Sequence, residues 1–118
     1  MIDAAHARRF AAEWIDAWNA HDLERVLAHY ADDFEMASPV IVQVAGEPSG
    51  VLRGKERVAA YWKKALALRP DLHFTLERVL VGAESVAIAY RGHRGASVET
   101  FWFGADGKVV RAAAHYEV

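Results

Sequence analysis

The chain contains no cysteine. That absence excludes disulfides, thiolate nucleophiles and every zinc or iron–sulfur site built on sulfur ligands. Dense positive charge is also missing. The richest basic stretches, Arg53-Gly-Lys55-Glu-Arg57 and Lys63-Lys64, are broken by acids or apolar residues, and the net charge is −2, so no nucleic-acid footprint is present. No apolar run approaches the roughly 20 residues of a membrane span. The opening Met1-Ile-Asp-Ala-Ala-His-Ala-Arg-Arg9 lacks the apolar centre of a signal peptide. The expectation is a cytoplasmic protein with neither nucleic-acid nor membrane partners. The six histidines show no i, i+4 or His-x-His spacing, so neither a metal nor another cofactor is expected. There is no nucleophile elbow, Ser-His-Asp arrangement or phosphate-cradling glycine loop; Gly92-His-Arg-Gly95 reads as a turn.

What remains is a globular composition. Hydrophobic residues make up 53% and charged residues 25% of 118, which suits one domain over residues 1–118. Asp3 can cap a first helix with Phe10, Trp14, Ile15 and Trp18 on its apolar side. After the break Asn19-Ala-His21, Asp22 can cap a shorter helix facing inward through Leu23, Val26, Leu27 and Tyr30. Phe34 to Pro39 reads as a short strand, and Val40-Ile-Val-Gln-Val44 with Gly46-Glu-Pro48-Ser-Gly50 as a loop or small hairpin. Gly54 opens a third helix through about Leu68, striped by Val58, Tyr61, Trp62, Ala65 and Leu66 and stopped by Pro70. Four antiparallel strands follow, about Leu72–Val81, Ser85–Arg91, Ser97–Phe103 and Val109–Glu117. Helices followed by a meander predict an α+β fold, three N-terminal helices on one face of a curved antiparallel sheet.

Strand parity then sorts the side chains. With Asp106-Gly107 as a two-residue turn, Glu99, Phe101, Phe103, Val110, Ala112, Ala114 and Tyr116 share a face, joined by Val86, Ile88 and Tyr90. That face is apolar except for one carboxylate and two phenols. A buried carboxylate must be paired, hydrogen-bonded or neutral, and burial raises its pKa, so Glu99 is the candidate acid or hydrogen-bond donor. Two alternatives stay open: a bulge turning Glu99 outward, or pairing with Arg91 or Arg111. The opposite face carries Val98, Thr100, Trp102, Arg111, Ala113 and His115. A tryptophan there points to a homodimer through that side.

Several strings resemble the nuclear transport factor 2-like (SnoaL-like) superfamily. They are Trp18-Asn-Ala-His-Asp22-Leu-Glu, Tyr30-Ala-Asp-Asp-Phe34, Ser38-Pro39, Leu52-Arg-Gly54-Lys and Phe103-Gly-Ala-Asp-Gly107-Lys-Val-Val110. The resemblance runs through nearly the whole chain and implies a cone-shaped pocket between helices and sheet. Its members include ketosteroid isomerases, scytalone dehydratase, limonene epoxide hydrolase, polyketide cyclases and non-catalytic binding modules, with the isomerases the most similar. In the isomerases a helix-one tyrosine and a strand carboxylic acid form the oxyanion hole, and an aspartate before a proline is the base. The resemblance places Trp14, Glu99 and Ser38 at those positions. A serine hydroxyl cannot abstract an α-proton alone, so steroid isomerisation in its usual form is not expected. Arg91-Gly-His93 is similar to the water-activating Arg/Asp pair of the epoxide hydrolases, with the aspartate missing.

Two functional readings follow. One is cofactor-free isomerase, dehydratase or cyclase-type chemistry on a small apolar molecule, with Glu99, Trp14 and Ser38 as the catalytic candidates. The other is a non-catalytic ligand-binding or dimerisation module using the same cavity. In either case Trp18, Tyr30, Tyr61, Trp62, Tyr90, Phe101 and Tyr116 are candidates to touch the ligand, and each could equally be core.

Overall fold

A computed structural model describes residues 1–118. Its elements run α1 (Ala4–Asn19), α2 (Leu23–Leu27), β1 (Tyr30–Ala37), α3 (Pro39–Ala45), β2 (Val51–Arg53), α4 (Lys55–Leu68), β3 (Thr75–Val81), β4 (Ser85–Gly92), β5 (Gly95–Phe103) and β6 (Val109–Tyr116). Helices cover one face of a six-stranded sheet of order β2-β1-β6-β5-β4-β3, so the expected α+β architecture is the observed one. No helix is long and apolar enough to cross a membrane.

The caps behave as the sequence suggests. Asp3 accepts from the His6 backbone N–H at 2.8 Å and Asp22 from that of Arg25 at 3.2 Å. On α1 the buried stripe is Ala7, Phe10, Ala11, Trp14, Ala17 and Trp18. Between the two helices, Asn19 donates to the Phe74 carbonyl at 2.9 Å and accepts its N–H at 2.7 Å, while His21 Nε2 lies 2.8 Å from the Leu72 carbonyl. The break after α1 thus pins the segment that leads into β3.

Four expectations need correction. The sheet is not wholly antiparallel, because β1 pairs with β6 in parallel. The second helix stops at Leu27, and Tyr30 opens β1. The β-prone run after Pro39 is helical: Ser38 accepts from the Val40 N–H at 3.1 Å, Pro39 sits in the first turn, and Gly46 closes the helix in the left-handed region at φ 71°. Burial of Val40 and Ile41 outweighs their intrinsic preference for strand. Lastly, the β5–β6 loop holds three residues, because Gly104 N–H bonds the Lys108 carbonyl at 2.8 Å. A register shift follows, Phe103 opposing Val109 but Trp102 opposing Arg111. Val109 is therefore the buried valine and Val110 is 41% exposed. Beyond that bulge the expected parity resumes, with Phe101 opposite Ala112 and Glu99 opposite Ala114.

Candidate functional site

Helices α1, α3 and α4 and the concave face of β4–β6 enclose a cavity of about 370 Å³. Trp14 and Trp18 come from α1, Tyr61 and Trp62 from α4, and Val40, Gln43 and Val44 from α3. The sheet supplies Tyr90, Ser97, Glu99 and Tyr116. Register explains that grouping: Tyr90 opposes Ser97, and Ser97 opposes Tyr116, so two phenols flank one small residue across three strands. Glu99 stands two residues further along β5 on the same face.

Glu99 is 4% exposed and has no cationic partner. Arg91 lies 3.6 Å from Glu77, and Arg111 3.6 Å from Glu35, both on exposed arginine side chains. Glu35, also held by Arg53 at 2.7 Å, faces away from the cavity because its neighbours Phe34 and Met36 face in. The sole hydrogen-bond contact of Glu99 is a long one, 3.5 Å between Oε1 and the Tyr90 hydroxyl. Removal from water drives the Glu99 pKa up to about 8, with the Tyr90 contact opposing the rise. The carboxyl is therefore chiefly neutral at pH 7, and most of its hydrogen-bonding capacity is unspent.

The surrounding phenols are shifted the same way. Tyr90, Tyr61 and Tyr116 all rise above the usual phenol range, first through burial and then through nearby acidic groups, Glu99 among them. They stay protonated at any physiological pH and act as fixed dipoles. At the mouth, His93 is pushed below the usual histidine value, first by partial burial and then by Arg69 and Arg94.

The remaining candidates sort by geometry. Trp18, Tyr61, Trp62, Tyr90 and Tyr116 line the cavity with Glu99, whereas Ser38, Tyr30 and Phe101 do not. Trp14 lines it too, but its indole N–H donates to the Tyr30 hydroxyl at 3.0 Å. That donor is spent on the fold rather than offered to the cavity. Ser38 caps α3 by accepting the Val40 N–H, and its own hydroxyl is turned toward the cavity phenols Tyr61 and Tyr116. By contrast the Trp18 indole N–H is buried without a partner. Met36, the α3 residues, Leu72, Phe74, Ser97 and Arg94 line the cavity without having been singled out. Ser97 shares parity with Glu99 and was legible; the α3 residues were hidden by reading their segment as a hairpin.

The SnoaL-like domain family matches residues 11–118. The chain belongs to that family. A SnoaL-like protein of unknown function from Burkholderia thailandensis E264 is 60% identical, with a TM-score of 0.95 over 99% of this chain and 98% of that one. More distantly, IdmH from Streptomyces antibioticus, a candidate polyketide cyclase, is 21% identical, with a TM-score of 0.75 over 94% and 91%. A candidate isomerase of the same family from Agrobacterium tumefaciens C58 is 15% identical, with a TM-score of 0.74 over 95% and 97%. At those identities the likeness is one of fold. No curated protein matches the sequence.

Proposed function

We propose that this SnoaL-like domain binds a flat, apolar, carbonyl-bearing molecule in its cone-shaped cavity and promotes proton transfer on it without a cofactor. The observation that carries the reading is the buried Glu99 carboxyl on the cavity wall, unpaired with any arginine. A neutral acid in a low-dielectric pocket is a strong donor to a carbonyl oxygen that gains charge as an enol forms. In such a step the substrate C–H bond breaks and its proton passes to water in the cavity. The carbonyl oxygen takes the Glu99 proton, and the carboxylate left behind is stabilised by Tyr90 until it is reprotonated. The indoles of Trp18 and Trp62, packed edge to face on each other at 5.2 Å, give the cavity an aromatic wall for an apolar ring system.

A non-catalytic binding role is the second reading. It is favoured by one observation: Glu99 is the one carboxyl-bearing residue that lines the cavity, so no second carboxylate is there to act as base. Hydrogen–deuterium exchange of 2-tetralone, followed by NMR in D₂O, separates the two. The catalytic reading predicts exchange above the buffer rate, reduced on the order of 10²-fold in Glu99→Gln. Binding of the ketone with no acceleration would leave the binding reading alone.

We also infer a homodimer through the convex sheet face. Supporting it, Val98 is 38% exposed there, and Arg111 stacks over the Trp102 ring at 4.5 Å.

A further inference from the structure

The mouth of the cavity differs in charge from its depths. Inside, the one carboxyl is Glu99, neutral at pH 7, and the other polar groups are phenols and Ser97. At the rim the lining includes Arg69, His93 and Arg94, from the end of α4 and the β4–β5 turn. Both arginines act on His93, so the three form one cluster. The two-residue turn between Gly92 and Gly95 places it there: these glycines oppose each other, and Gly95 takes a positive φ of 87° that a side chain would resist.

The two arginines are not equally committed. Arg69 Nη2 lies 3.2 Å from Asp71, while its Nε is buried with no partner. Arg94 takes part in none of the ion pairs of the chain. Its guanidinium instead lies over the Tyr116 ring, 5.6 Å from the centroid. Asp71 answers Arg69, and the Glu117 carboxylate beside the same turn accepts the Ala96 N–H at 3.2 Å, so Arg94 is the guanidinium of the rim without an anionic partner. A charged mouth on apolar walls focuses its field into the opening.

We propose that the cavity takes an amphiphilic monoanion, a flat molecule bearing one carboxylate, which Arg94 and Arg69 hold at the mouth while its body reaches inward toward Glu99. A carboxylate matches the rim in both charge and shape, since a guanidinium presents a planar fork to two oxygens. The inference rests on the ligand-cavity reading above and does not depend on turnover.

The test compares two probes of nearly equal shape, 2-naphthoate and 2-acetonaphthone, by titration calorimetry at pH 7. The wild-type protein should prefer the carboxylate by about fivefold to tenfold, a partly exposed charge-assisted contact. Arg94→Gln and Arg69→Gln should each erase most of that preference while leaving the affinity for the ketone unchanged. Equal binding of both probes to the wild type would overturn the rim assignment and leave the cavity reading intact. So would a preference that survives both substitutions, or a ketone affinity that falls in step with the carboxylate. If neither probe binds, the cavity reading fails and the rim proposal falls with it.

Discussion

Replacing Glu99 with Gln should make the protein more stable at neutral pH, and the gain should grow as pH rises. An unfolded glutamate titrates near 4.5, whereas Glu99 in the folded chain titrates near 8. Below the lower value both states hold the proton, and folding bears no ionisation cost. Between the two values the unfolded chain releases its proton and the folded chain does not, so stability falls by about 1.4 kcal/mol per pH unit. Above about 8 both are ionised and the loss is complete. The advantage of Glu99→Gln over wild type should therefore widen by about 2.5 kcal/mol between pH 5 and pH 7, and by about 1 more at pH 8. At roughly 4 °C per kcal/mol for a chain of this size, the first interval corresponds to a relative shift of about 10 °C in Tm. Any packing penalty of the amide beside Tyr90 is independent of pH and cancels in the comparison, as do the titrations of His29 and His93. Urea unfolding of both proteins across pH 5 to 8.5 reads the difference. Groups facing the carboxyl from the other elements are Tyr30 on β1, Tyr61 on α4, Tyr90 on β4 and Tyr116 on β6, all protonated in that range. A gap between the two proteins that stays constant with pH would refute the buried, neutral Glu99.

Other consequences are simpler to read. Trp14→Phe leaves the Tyr30 hydroxyl without the indole that now donates to it at 3.0 Å; a loss of about 2–3 kcal/mol is expected in urea unfolding. Gly50→Ala should cost about 1–2 kcal/mol, because φ is +72° and the new Cβ would stand 3.2 Å from the Ser38 carbonyl. Gly46→Ala, at φ +71° with open space around it, should cost about 1 kcal/mol or less by the same assay. If the proposed dimer forms through the convex face, Trp102→Glu, which places a charge there beside Arg111, should sediment as a monomer where the wild type sediments as a dimer, without changing ketone binding.

The depth to which the sequence could be read differs by region. Caps at Asp3 and Asp22, the α4 stripe and the face shared by Tyr90 and Glu99 followed from local chemistry, while the β4–β5 register, closed by a two-residue turn, came from the structure. The run Val40-Ile-Val-Gln-Val44, strand-forming at four of its five positions, was misleading, since Val40 and Ile41 are buried on a helix that Ser38, Pro39 and Gly46 delimit. The cap and C-terminal glycine were visible, but the β-branched run outweighed them. Parity placed Glu99, Tyr90 and Tyr116 together, yet it could not show that Trp14 spends its donor on Tyr30, since that contact spans 16 residues. The cationic rim was equally hidden: Arg69 and Arg94 meet through the pairing of distant elements, while Arg94 in sequence is simply a turn residue.

The most direct test of the central claim is a ¹³C NMR titration of the glutamate side-chain carboxyls, with Glu99→Gln supplying the assignment. One resonance should titrate with a midpoint near 8 and be absent from the variant spectrum. If the resonance lost in Glu99→Gln instead titrates with the solvent-exposed glutamates, Glu99 is ionised at neutral pH and cannot be the proton donor of the cavity.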